Sequence, residues 1–439
     1  MRGRSIPDAF LANASFLALL LLFTGSPSIF QHCFARREFH HRPPPAGSHH
    51  PPPPAPVMQP PPSPASSSTF SVLDYGAVGD GATDDTKASA FGDAWSAACA
   101  VRASKLLVPA SYVFLVGPIT FTGDSCEPNM AFQVDGTILA HAAGSTAWNS
   151  GAVTQWLEFK NVRGLSIQGC GAIDGQGSEW WSGGSVTGDA KIGANVTVMG
   201  ITIRNSPRFH LTLDTCRAVE VHDVAVSSPR DSPNTDGIHL AASVGVSIHH
   251  SIIACGDDCI SIQDGCSDVF VRSVHCGPGH GISIGGLGKS GATAFVSDVT
   301  VQDITLNQTT TGVRIKTWQG GSGSVKNVRF TDVRVSAVKT PIVIDQYYCD
   351  HATCTNQTSA VAVTAVAYQG VTGTYTERPV YLACSDAAPC SGIQLADIQL
   401  SPVKDNSGHH LQGPFCWKAY GEVVHPVEPP VDCLRAVAP

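Results

Sequence analysis

A short unit of alternating apolar residues recurs from about Leu165 onward. It reads apolar-x-apolar-x-x-apolar-x-apolar at Val196–Ile203, Val219–Val226, Val246–Ile253, Val269–Cys276, Val299–Leu306 and Val328–Val335. Ser251 is the one exception within these six units, and their starts are separated by 23, 27, 23, 30 and 29 residues. Period-two alternation indicates strands with one buried face, and repeats of this length are typical of solenoids.

A second, shorter apolar strand follows most of these units. The second strands are Leu211–Leu213, Ile238–Leu240, Ile260–Ile262, Ile282–Ile284, Val313–Ile315 and Ile342–Ile344. Two or more strands in each repeat predict an all-β fold, a single-stranded right-handed parallel β-helix. A β-sandwich also has many short strands, but it does not have this constant internal order.

The folded part begins near Phe70, and we assign residues 70–435 to one parallel β-helix domain. The segment Thr83–Asp85, followed by Phe91, Trp95 and Ala98, resembles a capped amphipathic helix. A solenoid needs its first coil covered, so this short helix is expected to be an N-terminal cap.

The residues before this domain have two different compositions. Arg2 and Arg4, the apolar run Ala14–Phe23 and small residues near Gly25 predict a secretory signal peptide over about residues 1–35. A membrane anchor would need roughly 20 continuous apolar residues, and no later segment could span a bilayer. Residues 36–69 are rich in proline and histidine and predict a disordered linker. The expected product is a secreted, extracellular protein.

Cysteine usage and sequons agree with an oxidising, secretory destination. No cysteine cluster has zinc-ligand spacing with histidines, so short-range disulfides are favoured over a metal site. The disulfide candidates are Cys259, Cys276, Cys349, Cys354, Cys384, Cys390, Cys416 and Cys433. The glycosylation candidates are Asn195, Asn307 and Asn356. The net charge of −8 gives no reason to expect nucleic-acid binding.

Three acidic or histidine-containing segments fall in one register of the repeat. Asp236, Asp258 and His280 are 22 residues apart in turn, and each lies two positions before the first apolar residue of a second strand. Stacked coils would therefore place these side chains, with Asp257, in one column on one face. Glycoside hydrolysis needs two carboxyl functions, and crowded carboxylates should keep at least one raised pKa. A turn-capping role for each aspartate and a calcium site are the alternatives.

Arg314 and Lys316 lie on the second strand of a later coil, where alternation puts both on the same face. A solvated edge is the ordinary interpretation of two basic residues. Beside an aspartate column, however, Arg can hold a carboxylate through paired hydrogen bonds and Lys adds a point charge. The implied substrate is an acidic sugar.

Four segments of the chain resemble the signature segments of polygalacturonases, the pectinases of glycoside hydrolase family 28. They are SPNTDGIH (232–239), CGDDC (255–259), CGPGHG (276–281) and GVRIK (312–316). The resemblance covers roughly Phe70 to Leu434 and is closest to plant members with a proline- and histidine-rich leader. GAIDGQG (171–177), Trp180-Trp181 and IDQYYC (344–349) add to it.

The resemblance implies hydrolysis of α-1,4-galacturonosyl bonds of pectin with inversion and without metal or other cofactor. Asp257 would be the general acid, Asp236 and Asp258 would position and deprotonate the attacking water, and His280 would support the acid through a hydrogen bond. Arg314 and Lys316 would bind the galacturonate carboxylate. Asn234 and Tyr348 would line the sugar site. Inversion implies acid and base carboxyls ~6.5–9.5 Å apart.

Two further features follow from the same resemblance. Pairing of Cys259 with Cys276 would clamp adjacent catalytic coils, and Gly286 stands where many relatives carry serine. A calcium-dependent pectate lyase and a catalytically silent pectin-binding wall protein remain alternatives. Endo or exo attack, the preferred pectin methylation, the pH optimum and the tissue role are left open.

Overall fold

The computed structural model describes residues 68–86, 89–148, 155–181, 194–349, 355–403 and 411–436. All of them lie within one unit, Pro53–Pro439. The predicted signal peptide and the predicted linker up to residue 67 lie outside the described residues. The single described α-helix has ten residues, and the described part of the chain contains no helix with the length and hydrophobicity for a membrane crossing.

The N-terminal coils are built from short strands. Their bounds are β1 Thr69–Ser71, β2 Asp80–Asp84, β3 Lys105–Val108, β4 Val113–Val116, β5 Ile119–Thr122, β6 Ala131–Val134, β7 Thr137–Ala140, β8 Leu157–Lys160, β9 Ser166–Gln168 and β10 Ala172–Asp174. Strand β1 pairs with β3, β3 with β6 and β6 with β9, all parallel. The solenoid therefore starts well before Leu165, where the sequence pattern first becomes regular.

The central coils carry the repeating unit. Their strands are β11 Ala194–Met199, β12 Thr202–Arg204, β13 Leu211–Asp214, β14 Arg217–His222, β15 Ala225–Ser227, β16 Ile238–Ala241, β17 Val244–His249, β18 Ile252–Ala254, β19 Ile260–Ile262 and β20 Ser267–Cys276. Units starting at Val196, Val219, Val246, Val269 and later Val299 pair in register with one another. The predicted repeat is confirmed.

Longer strands build the C-terminal coils. Their bounds are β21 Ile282–Leu287, β22 Thr293–Asn307, β23 Thr311–Thr317, β24 Ser322–Val338, β25 Thr340–Asp345, β26 Ala362–Tyr375, β27 Val380–Ala383, β28 Cys390–Pro402, β29 Phe415–Trp417 and β30 Ala419–Glu428. Strand β20 pairs with both β17 and β18, so one long bent strand here replaces two short ones.

The strands form two large parallel sheets and a two-stranded one, β5–β8. The front sheet has eight strands in the order β13-β16-β19-β21-β23-β25-β27-β29, and the back sheet has twenty. Every second strand named from the sequence lies in the front sheet. The observed architecture is the expected parallel β-helix.

The back sheet bends at a fixed point in each unit. The fifth residue of every unit has a positive φ: Gly200, Asp223, His250, Ser273, Asp303 and Asp332, at 74°, 53°, 51°, 51°, 54° and 55°. A single residue in the left-handed region turns the chain without adding length. The two adjacent x positions of the unit therefore mark a turn of the chain between its first and second apolar pairs.

Apolar residues on the inner face stack from coil to coil. Val196, Val219, Val246, Val269 and Val299 are each at most 2% exposed. Full burial of each such side chain stabilises the fold by about 1.5–3 kcal/mol. The exception noted in the sequence, Ser251, is also buried, and its Oγ accepts a hydrogen bond from the backbone N–H of Val224 in the preceding coil (3.3 Å).

A helix covers the first coils, as expected, but its cap was predicted wrongly. Helix α1 runs from Ala90 to Cys99 and buries Phe91, Trp95 and Ala98. Its N-cap is Ser89, which makes no side-chain capping bond, and Asp84 lies in β2. The Asp85 carboxylate instead accepts the backbone N–H of Val78 (2.6 Å). Asp is as suited to such a turn as to a cap, so the local signal was ambiguous.

Disulfides connect sequence neighbours at several turns. Cys259–Cys276, the one pairing that was predicted, is bonded at 2.16 Å. The candidates Cys384 and Cys390 are bonded to each other at 2.02 Å, and Cys416 and Cys433 at 2.09 Å. Cys99–Cys126, which ties the end of α1 to the next turn, was not predicted. Cys349 is disulfide-bonded, and Cys354 lies outside the described residues. Asn195, Asn307 and Asn356 are exposed, and their glycosylation remains a prediction.

Candidate active site

The front sheet brings the signature segments onto consecutive coils. Ile238 pairs with Ile260, and Ile260 pairs with Ile282. These three isoleucines lie two residues after Asp236, Asp258 and His280, respectively. The Gly237 N–H donates to the Asp258 carbonyl (2.9 Å), so the register continues into the turn itself. The predicted register of Asp236, Asp258 and His280 is therefore present.

Glycines in these turns allow the coils to approach closely. A Cβ on Gly256 would lie 1.9 Å from the Ser232 carbonyl oxygen, and one on Gly281 would lie 2.2 Å from the Gly312 oxygen. The Gly256 N–H also donates to Thr235 Oγ1 at 2.9 Å. Only glycine fits both positions. Each aspartate is thus held by backbone contacts of the neighbouring coil.

Asp258 is the centre of a buried charge network. Its Oδ1 accepts hydrogen bonds from Arg314 Nη2 and Ser283 Oγ, both at 2.7 Å, and its Oδ2 accepts one from Lys316 Nζ at 2.9 Å. Arg314 Nε donates to Ser283 Oγ (3.0 Å). Ser283 and Arg314 are paired in the β21–β23 ladder, which explains why they meet. The expectation that both cations face the aspartate column is correct.

The cations determine the charge of Asp258. Its burial opposes ionisation, but the nearby charges of Lys316 and Arg314 outweigh burial and lower its pKa to about 2. Asp258 therefore stays a carboxylate throughout the acidic and neutral range. It cannot serve as a proton donor.

Asp257 lies on the open side of the same turn. Its side chain is 25% exposed, and its Oδ1 is 2.9 Å from His280 Nδ1. The His280 backbone N–H also donates to the Asp257 carbonyl (2.7 Å). One proton can sit between this carboxyl and this imidazole, so the pair suits proton transfer to a bound molecule.

Asp236 is buried and neighbours two histidines. Its Oδ2 lies 3.1 Å from His239 Nδ1, and its backbone carbonyl lies 2.9 Å from His210 Nδ1. Burial, with the charges of Asp258 and Asp257, raises the pKa of Asp236 to about 6. Burial lowers the pKa of His210 to about 4, so this imidazole stays neutral while it holds the Asp236 backbone. Asp236 thus supplies the raised pKa that was expected of crowded carboxylates.

We expect Asp236→Asn to change how stability depends on pH. The folded state binds the Asp236 proton more tightly than the unfolded state does, so this group stabilises the fold below about pH 4. The wild type should lose about 3 kcal/mol of that contribution as pH rises from roughly 4 to 6. Urea unfolding should therefore show that the free energy of unfolding of Asp236→Asn, relative to that of the wild type, is higher at pH 7 than at pH 4. Equal differences at both pH values, as expected for the exposed control Asp268→Asn, would contradict the assignment.

The remaining predicted residues lie around this centre. Asn234 is exposed, two residues before Asp236. The Tyr348 ring centroid lies 5.1 Å from Lys316 Nζ, and Tyr348 also packs edge-on against Trp318 at 5.8 Å. A Cβ on Gly286 would lie 2.8 Å from Trp318 Nε1 and 3.0 Å from Tyr348. A serine at Gly286 would therefore displace these rings.

Two site residues were missed or misjudged from the sequence. Ser283, which bonds both Asp258 and Arg314, was not proposed. His239 was not proposed as a site residue either, yet it contacts the Asp236 carboxylate and stacks on Phe209 with ring centroids 4.0 Å apart. The register of the second strands could have identified both residues, because it places them in one column of the front sheet with Arg314. The paired residues of that column are Thr212, His239, Ser261, Ser283 and Arg314.

A cation at this centre is disfavoured by the charges already present. One donor atom each from Asp257, Asp258 and His280 lie within 4.8 Å of one another and could hold an ion. Asp258, however, is already neutralised by Arg314 and Lys316, and two positive groups in contact with it oppose a third. The donor set fits calcium poorly.

Comparison with known proteins decides the family. The model of glycosyl hydrolases family 28 matches residues 99–410, most of the chain. The chain belongs to glycosyl hydrolase family 28. A probable polygalacturonase of Arabidopsis thaliana is 38% identical over 84% of this chain and 85% of its own length. A polygalacturonase of Malus domestica is 41% identical over 76% of this chain and 75% of its own length.

Two solved structures share the fold of this chain. A polygalacturonase from Erwinia carotovora superimposes with a TM-score of 0.62 at 23% identity, covering 80% of this chain and 96% of that one. An endo-xylogalacturonan hydrolase from Aspergillus tubingensis gives 0.67 at 21% identity, covering 80% and 100%. The right-handed parallel β-helix expected from the sequence is confirmed. The protein is a glycoside hydrolase, and membership in this family argues against the lyase alternative.

Proposed function

We propose that this protein is a polygalacturonase that hydrolyses the α-1,4-galacturonosyl bonds of pectin with inversion. The observation that carries the proposal is the hydrogen-bonded pair Asp257–His280. The next residue, Asp258, is a carboxylate that Arg314 and Lys316 keep ionised. This arrangement supplies a proton donor, a permanent base and positive charge for an acidic sugar. The relatives at about 40% identity that carry the name polygalacturonase support it.

Each group has a proposed step. The Asp257 carboxyl protonates the leaving glycosidic oxygen, and His280 returns the proton through their 2.9 Å contact. Asp258 and Asp236 orient a water molecule on the opposite face of the sugar and accept its proton as the water attacks the anomeric carbon. The proton count balances over one turnover: Asp257 gives one proton to the leaving oxygen, and the base carboxylates take one from the water. Exchange with solvent, through His280 on the acid side, then restores both groups.

The spacing of the carboxyls bears on inversion. Asp257 and Asp258 have donor atoms within 4.8 Å, which is closer than the ~6.5–9.5 Å of an inverting pair. The predicted spacing is not met by these two residues in this arrangement. Asp236, in the preceding coil, supplies the third carboxyl, and the spacing stays a prediction for Asp257 and Asp236.

Arg314 and Lys316 are proposed to hold a galacturonate carboxylate. A guanidinium carries five N–H donors in a planar fork, and two nitrogens of Arg314 bond Ser283 and Asp258. The remaining donor directions and the Lys316 charge favour an anionic sugar next to the acid. Asn234 and the Tyr348 ring line the same site in this proposal.

Products from polygalacturonate test the function. The purified full chain should release new reducing ends without unsaturated sugars, in the presence of a chelator as in its absence. Nuclear magnetic resonance of the first products should show the anomer inverted from the substrate. Unsaturated products that disappear with chelator would show a lyase, and absence of turnover would favour the silent pectin-binding alternative.

Secretion to the cell wall, glycosylation and a monomeric state are part of the same proposal. The four described disulfides support an oxidising compartment. Expression of the full chain in a secretory host, followed by mass and size measurement of protein in the medium, tests all three. Retention inside the cell, an unmodified mass or a dimeric elution volume would each contradict its part.

A further inference from the structure

Asp236 is held on two sides by histidines that no step of the proposed mechanism uses. The His210 backbone N–H and Nδ1 each lie 2.9 Å from the Asp236 carbonyl oxygen, and His210 Nε2 lies 2.7 Å from Ser228 Oγ. On the other side, His239 Nδ1 lies 3.1 Å from Asp236 Oδ2. One histidine therefore holds the backbone of Asp236, and the other contacts its carboxylate.

The His239 ring is oriented by its neighbours. It stacks on Phe209 with ring centroids 4.0 Å apart and planes 8° from parallel. The Arg208 guanidinium carbon lies 4.4 Å from the Phe209 centroid, and the His239 side chain is only 13% exposed. Thr212, three residues after Phe209, pairs with His239 in the β13–β16 ladder, which brings the two rings together. A stacked and largely enclosed imidazole cannot turn freely away from the carboxylate.

The contact with His239 favours the ionised form of Asp236. Burial is the main reason that the pKa of Asp236 is raised to about 6, and the charges of Asp258 and Asp257 add to it. The hydrogen bond from His239 acts in the opposite direction, because an N–H donor stabilises a carboxylate more than a neutral carboxyl. Without this donor, Asp236 would hold its proton to a still higher pH.

The other titratable groups around Asp236 do not replace this donor. The two neighbouring aspartates oppose its ionisation by their negative charge. Burial lowers the pKa of His210 to about 4, so this imidazole stays neutral, and it bonds the Asp236 backbone instead of the carboxylate. Burial raises the pKa of Cys255, so this nearby thiol also stays neutral. Among the described residues, His239 is therefore the one side chain that is hydrogen-bonded to the Asp236 carboxylate.

We propose that His239 is a positioning residue that holds the Asp236 carboxylate ionised and in place to accept the proton of the attacking water. The proposal rests on the proposed function and deepens it. Asp258 stays ionised over the whole acidic range, so Asp236 is the carboxylate whose protonation limits turnover on the acid side. The stack of Phe209 on His239 then determines how acidic a solution the enzyme tolerates.

The pH profile of kcat/KM on polygalacturonate tests this role. His239→Phe keeps a ring against Phe209 but removes the Nδ1 donor, so the acid limb should move to higher pH by about one unit while the basic limb stays in place. Activity on the acid side should thus fall about tenfold, with a much smaller loss near pH 7. His239→Asn, whose side-chain amide can donate from nearly the position of Nδ1, should restore most of the acid limb.

Urea unfolding gives a second readout that needs no substrate. Protonated Asp236 stabilises the fold at low pH, and this contribution is lost as pH rises through its pKa in the folded protein. In His239→Phe the loss should continue to a pH about one unit higher. The difference should largely disappear in the Asp236→Asn background, because His239 acts through that carboxylate.

The matched control is His275→Gln, which removes an exposed histidine of the back-sheet strand β20 and should leave both profiles as in the wild type. An unmoved acid limb in His239→Phe, a loss of activity that is equal at every pH, or an equal shift in His239→Asn would overturn the proposal. If the wild type releases no reducing ends, the proposed function fails instead, and the unfolding series still tests the contact between His239 and Asp236.

Discussion

Asp257→Asn should reduce kcat on polygalacturonate by at least about a hundredfold while the protein remains folded. General acid catalysis contributes ~10²–10⁴-fold, and an amide cannot give its proton to a glycosidic oxygen. The side chain is 25% exposed and accepts its contact from His280, so the isosteric change disturbs little packing. KM should change far less than kcat because the proton moves only in the transition state.

Three measurements make this test specific. Reducing-end release gives kcat and KM, urea unfolding checks the fold, and the pH profile of any residual activity should lose its basic limb. The control Asp268→Asn changes an exposed aspartate of the back-sheet strand β20 in the same way and should be fully active. Normal turnover by Asp257→Asn would remove Asp257 from the acid role and leave Asp236, whose pKa is raised, as the next candidate.

Asp258→Asn should destabilise the protein and also inactivate it. The change leaves Arg314 and Lys316, 13% and 8% exposed, beside a neutral amide. Removing one partner of a buried ion pair costs about 3–5 kcal/mol, chiefly because the other charge is left uncompensated. The same change removes the permanently ionised carboxylate that the proposed mechanism uses as a base, so kcat should fall by at least ~100-fold.

The pH dependence separates these two effects. The pKa of Asp258 is lowered to about 2 in the folded protein, so its ionised form stabilises the fold above about pH 4, and this stability is lost as pH falls toward 2. In Asp258→Asn that loss should be absent.

The double variant Asp258→Asn/Lys316→Met should recover part of the stability, because one stranded cation is gone, yet stay inactive. If Asp258→Asn alone is as stable as the wild type at pH 7, then the ion pairs of Asp258 with Arg314 and Lys316 do not stabilise the fold.

Most of the fold could be predicted because the period of the central coils is regular. The unit starts Val196, Val219, Val246, Val269 and Val299 were all identified from alternation alone and all pair in register. The N-terminal coils were not, because there the paired residues Thr69, Lys105, Ala131 and Ser166 are separated by 36, 26 and 35 residues. In those coils aromatic packing, as between Trp95, Phe121 and Phe159, replaces the stacked valines.

The sequence predicts which side chains come together at the site, because their positions within each coil determine this. Asp236, Asp258 and His280 share one position, and alternation placed Arg314 with Lys316. Which cation bonds which carboxylate depends on side-chain reach across two coils, and no sequence pattern reports it. The raised pKa of Asp236 likewise depends on burial, which the motif spacing does not reveal.

The single left-handed residue at each back-sheet corner has a consequence for how such enzymes diversify. Because that corner has constant length, differences in coil length must arise in the segments that enter and leave the front sheet. Five residues separate β20 from β21, whereas twelve separate β28 from β29, and sixteen separate β25 from β26. In the sequence, both kinds of segment adjoin the front-sheet strands, on which Arg314 and Lys316 lie. Insertions at these places can therefore accumulate beside the front sheet while the valine stack keeps its alignment.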